Sequence, residues 1–101
     1  MREVNLIERP QLSAHVRLHW DPVREKQVIL MPEGMLALNA TAAAIVALCD
    51  GQQSVSEIIA ELSSQYHRAV DEDVLYFLNR LQSKRLLELA GDIQSIQDLH
   101  G

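Results

Sequence analysis

An α+β fold is predicted for this chain of 101 residues by three features of its sequence. The apolar period changes from two to 3.6 near Asn39, two short Pro- or Gly-bearing connections join three short apolar runs before that point, and polar caps open helical runs after it. Together they describe a winged-helix-like domain in which an N-terminal three-stranded antiparallel meander leads into a three-helix bundle, with the wing-like sheet unusually placed first.

Residues 1–13 show no sustained period and contain Pro10, so they read as an extended N-terminal arm. From Ala14 the pattern alternates strictly: Val16, Leu18 and Trp20 on one side, His15, Arg17 and His19 on the other, the period of a half-buried strand. Asp21-Pro22 marks a turn, Val28 to Met31 forms a second strand ending at Pro32-Glu33-Gly34, and Met35 to Leu38 forms a third. Asn39 is a suitable N-cap for a helix from Ala40 to Cys49, closed by Asp50-Gly51 with Gly in the left-handed C-cap position. Being apolar on almost every side, that helix is expected at the hub of the core. Ser54 and Glu57 fit a capping box for a second helix from Val55 to about Tyr66, with Val55, Ile58, Ile59, Leu62 and Tyr66 on one face. A third helix starts where Asp71, Glu72 and Asp73 crowd the positive end of its dipole, and its core face is Val74, Phe77, Leu78 and Leu81 up to about Lys84. Leu86 to Leu89 is too short to assign. The domain is thus expected over 14–90, and 91–101 is expected to be a flexible or short amphipathic tail carrying Ile93, Ile96 and Leu99.

Composition narrows the function classes. A chain this long, 48% apolar, is one small domain able to build a core without staples. Its single cysteine, Cys49, excludes an internal disulfide and predicts a reducing, cytoplasmic location. No apolar run approaches the roughly 18 residues that span a bilayer, and the first twelve residues lack a secretory pattern, so no membrane association is expected. A formal charge of −5 removes the diffuse attraction on which nucleic-acid binding mostly depends.

Enzymatic signatures are scarce: no nucleophile elbow, no Gly-rich phosphate loop, no paired-cysteine motif and no H-E-x-x-H. His15 and His19 on one strand would stand about 13 Å apart, too far to chelate an ion, and Cys49 reads as a small buried hydrophobe. The acidic run 71–73 reads as helix capping and Trp20 as a packing residue. No cofactor and no metal site is expected. More informative is the third strand. Proteins blunt exposed sheet edges with charge, proline or a cover, yet Met35, Leu36, Ala37 and Leu38 offer none of these. Either the arm or a second subunit covers this edge, which allows a homodimer, or an extended peptide pairs with it. Asp73, Tyr76, Arg80 and Lys84 form a stripe on the third helix beside Phe77, suited to acidic and aromatic side chains. These nine residues make the candidate peptide-binding groove. A proline at Leu36 or Ala37 is expected to weaken binding more than folding.

Several segments resemble one family. Trp20-Asp21-Pro22-Val23-Arg24-Glu25, Val28 through Gly34, Leu38-Asn39-Ala40-Thr41-Ala42-Ala43, and Leu48-Cys49-Asp50-Gly51 followed by Ser54-Val55 and Glu57-Ile58 are similar to the PqqD family of pyrroloquinoline quinone biosynthesis, over roughly residues 8 to 90. That resemblance implies a non-catalytic peptide chaperone, a recognition element for ribosomally made peptides. It would hold a precursor peptide as an added strand and present it to a radical S-adenosylmethionine enzyme that crosslinks a Glu and a Tyr of that peptide. Pro32, Glu33, Gly34, Asn39, Asp50 and Gly51 match the family pattern as turns and caps. The alternative is a winged-helix DNA-binding regulator, but its reading helix would open with three acids and offer only Arg80, Lys84 and Arg85 near its end.

Overall fold

The structure, a computed structural model, describes residues 3–90; the tail expected over 91–101 lies outside them. Its elements run β1 (Arg9–Leu12), β2 (Arg17–Asp21), β3 (Lys26–Met31), β4 (Gly34–Ala37), α1 (Ala40–Ala47), α2 (Val55–Tyr66), α3 (Asp71–Ser83) and β5 (Leu87–Ala90). Strands β2, β3 and β4 form an antiparallel meander in that order, and three helices follow, as the change of period predicts. Strands β1 and β5 form a separate antiparallel ribbon pairing Leu12 with Leu87 and Arg9 with Ala90.

Local chemistry sets the meander's turns. Asp21 Oδ1 accepts from the Val23 N–H at 3.0 Å and the Arg24 N–H at 3.4 Å, while Oδ2 accepts from Arg24 Nη1 at 2.8 Å. These bonds hold a buried carboxylate at the hairpin, and the Arg24 guanidinium keeps it below its ordinary pKa. Pro32 and Glu33 join β3 to β4, and Gly34 leaves the turn at φ +146, where a side chain is strained. Two expectations change here. Strand β2 begins at Arg17, so His15 and His19 do not share a strand. Trp20 is 51% exposed rather than packed: it lies one residue from the hairpin turn and pairs with the polar Gln27.

Helix α1 starts as expected, with Asn39 Oδ1 accepting from the Ala42 N–H at 2.8 Å. It stops at Ala47, with Leu48 as a right-handed C-cap, so Gly51 is not its cap. Gly51 has φ +80 because β1 passes close by: its N–H donates to the Pro10 carbonyl at 3.0 Å, and a Cβ there would meet Gln11 Oε1 at 2.8 Å. Helix α2 carries the predicted reciprocal cap, Ser54 N–H to Glu57 Oε1 at 2.7 Å and Glu57 N–H to Ser54 Oγ at 3.1 Å. Its face buries Val55, Ile58, Ile59 and Leu62, whereas Tyr66 at the far end is exposed. Helix α3 has no side-chain cap; its N-cap is Val70, and the three acids in its first turn favour the dipole without making a capping bond.

The N-terminal arm docks for a reason visible at the start of α2. The first N–H groups of a helix lack internal partners. Ser54 satisfies that of Glu57, and the arm supplies acceptors for the other two: Val55 N–H donates to the Glu8 carbonyl at 2.9 Å and Ser56 N–H to the Leu6 carbonyl at 3.0 Å. Val4 and Pro10 are buried in consequence. Beneath, Ile29, Ile45, Ile58, Leu62, Val74, Leu78 and Leu81 form the core, each fully buried side chain stabilising by about 1.5–3 kcal/mol.

Candidate functional site

Strand β4 pairs with β3 and, among the described residues, with nothing on its other side. The Leu38 N–H donates to the Gln27 carbonyl at 3.0 Å. Counting back by two along an antiparallel ladder, Leu36 and Gly34 also turn their backbone groups to β3, which leaves the N–H and C=O of Met35 and Ala37 pointing outward. The arm that was one expected cover for this edge goes to β5 instead.

The side chains divide in the same rhythm. Leu36 and Leu38 pack toward the helices, half-buried and buried, while Met35 and Ala37 are exposed. Between β4 and α3 lies a cleft of about 340 Å³. Its apolar surface comes from Leu36, Ala37, Leu38, Ala42, Ile45 and the half-buried Phe77, and its polar surface from Asn39, Thr41, Arg68, Asp73, Tyr76 and Arg80. Leu36, Ala37, Leu38, Asp73, Tyr76, Phe77 and Arg80 are therefore brought together. Met35 and Lys84 are not: Met35 is exposed outside the lining, at the turn end of β4, and Lys84 lies past the last turn of α3 as its C-cap.

Sequence reading missed Arg68 and the α1 residues. The signal for α1 was present, since an N-cap directly after Leu38 puts the first turn of that helix at the strand's end. Arg68 follows His67, whose left-handed φ of 56 ends α2 and turns the chain back toward α3. Arg68 Nη1 then lies 3.1 Å from Asp73 Oδ2. Two cations stack on tyrosines, Arg68 over Tyr66 and Arg80 over Tyr76, each with its guanidinium carbon 5.9 Å from the ring centre. Cys49 takes no part. It is buried, its Sγ–H donates to the Ile45 carbonyl at 3.3 Å, and burial pushes the thiol up to about 12. The arrangement sets outward backbone groups on β4, an apolar floor, and charged and aromatic groups side by side along one cleft.

Comparison with known proteins supplies the relatives. A family model described as coenzyme PQQ synthesis protein D (PqqD) matches residues 26–87. The PqqA binding protein of Azotobacter vinelandii (strain DJ / ATCC BAA-1303) is 38% identical over 91 residues, which cover 88% of this chain and 99% of that one. The PqqA binding protein of Klebsiella pneumoniae is 52% identical over 64 residues, 61% of this chain and 70% of that one. The solution structure of the PqqD truncation of Methylobacterium extorquens PqqCD, described as a functional stand-alone recognition element for ribosomally synthesised and modified peptides, aligns with a TM-score of 0.68 and 39% identity, covering 78% of this chain and 87% of that one.

Proposed function

The chain belongs to the PqqD family, and on that premise we propose that it is a non-catalytic peptide chaperone of pyrroloquinoline quinone biosynthesis. It binds the precursor peptide PqqA as an added strand on β4 and presents it to the radical S-adenosylmethionine enzyme of the pathway. The observation that carries this reading is the open, uncharged edge of β4 beside a cleft walled by α3.

The energetics require both parts. Met35 and Ala37 offer two outward donors and two outward acceptors, worth about 1 kcal/mol each. Micromolar affinity needs about 8 kcal/mol, besides the cost of ordering a flexible chain. Half the affinity or more must come from side chains in the cleft. The chaperone's contribution to the reaction is then entropic: the peptide reaches its enzyme already extended and oriented.

The ladder's parity sharpens the test. Ala37→Pro removes an outward donor, whereas Leu36→Pro removes one bonded to β3 and damages the sheet itself. Isothermal titration with synthetic PqqA is expected to show Ala37→Pro binding about fivefold more weakly while its unfolding midpoint barely moves. Wild-type affinity in that variant rejects strand addition.

A further inference from the structure

Resting on the strand-addition reading, we infer that the cleft selects a segment bearing a carboxylate side chain, and that Arg80 is the group that reads it. The cleft is lined by three charged residues, Arg68, Asp73 and Arg80, in two different states. Arg68 Nη1 sits 3.1 Å from Asp73 Oδ2 and also donates to the Ala69 carbonyl at 3.3 Å, so these opposite charges offset each other before any ligand arrives. Arg80 has no carboxylate within ion-pair distance among the described residues. Its guanidinium lies over the Tyr76 ring, one turn away on the strip of α3 that lines the cleft. Stacking holds a guanidinium by its face and leaves its N–H edge for a planar acceptor, the geometry that a carboxylate fits with two parallel bonds. In a chain of net charge −5, the cleft thus keeps one positive charge with no carboxylate beside it, its guanidinium carbon 5.9 Å from the Tyr76 ring centre.

Strand alternation fixes where the carboxylate must fall. On an added strand, side chains opposite Leu36 and Leu38 share the face that these leucines turn to the helices, and those opposite Met35 and Ala37 take the other face. The carboxylate therefore stands an even number of residues from the apolar side chain that rests against Phe77.

The test is a double-mutant cycle by isothermal titration, using the full chain and synthetic PqqA in which each Asp or Glu is replaced singly by Asn or Gln. One replacement is expected to weaken wild-type binding about fivefold, the upper end for an exposed ion pair, yet to leave Arg80→Gln nearly unaffected. Arg80→Lys, which keeps the charge but not the fork, recovers part of the loss. The sensitive acid lies an even number of residues from the apolar position whose alanine replacement weakens binding most. No sensitive acid, equal sensitivity in wild type and Arg80→Gln, or an odd spacing overturns the inference. Ala37→Pro in the same series separates the two readings. A flat Arg80 cycle with Ala37→Pro still weakened rejects only the carboxylate, whereas wild-type affinity in Ala37→Pro rejects strand addition and the inference with it.

Discussion

Strands β1 and β4 are each four residues long, and they meet opposite fates. Strand β1 pairs with β5 on one edge and meets the segment before α2 on the other, through the Gln11–Asp50 bridge and the Gly51 N–H on Pro10. Strand β4 is paired on one edge only. Their sequences suit the reverse assignment: β1 carries Arg9 and Pro10, the residues that blunt an edge, while β4 is uncharged throughout. The strand least fitted to stand open is the one left open. Stability alone does not favour that choice; the proposed strand addition accounts for it.

The contrast can be broken most strongly at β1. Removing residues 1–12 takes away the buried Val4 and Pro10 and the acceptors for Val55 and Ser56, and is expected to lower unfolding free energy by about 4 kcal/mol or more in urea titration. A loss under about 1 kcal/mol would show β1 to be a mere appendage. Gly51→Val, at φ +80 and pressed against Gln11, is expected to destabilise by about 2 kcal/mol on the same assay.

Cys49, next to the Gln11–Asp50 bridge, reports how firmly that side is closed. Burial pushes its thiol up to about 12 in the folded chain, against about 8.5 unfolded, so the neutral form's contribution is complete below about pH 8.5 and is lost as pH rises toward 12. The unfolding midpoint is therefore expected to fall across that alkaline range in wild type and much less in Cys49→Ala. A parallel decline in both would assign the loss to other groups. The smallest stability effect is expected at β4, where Ala37→Pro should change unfolding by less than about 1 kcal/mol, since the donor it deletes has no partner in the free protein. A larger change would mean that this edge is structural after all.

What could be read from the sequence was what short-range chemistry decides. Ser54 and Glu57 specify the start of α2 within four residues, and the 3.6-residue spacing of Asp73, Tyr76, Phe77 and Arg80 put them on one strip of α3. The β1–β5 ribbon was not legible, because its four-residue strands come from opposite ends of the described chain, one containing proline and neither showing a period. Arg68 was hidden likewise: its place depends on the left-handed turn at His67, which no pattern of charge or hydropathy announces. Gly51 was recognised as special, but for a helix cap rather than for a neighbouring strand that the sequence did not reveal.

One small bond ties the two halves of the contrast together. Asn79 Oδ1 accepts from the Val4 N–H at 2.8 Å while its Nδ2 donates to the Leu75 carbonyl, also at 2.8 Å, on α3 three residues past Tyr76 and one before Arg80. The arm at Val4 is thus a backstop for the helix that lines the cleft. A change in the arm at Val4 therefore reaches α3, the helix beside the cleft, through a single side chain.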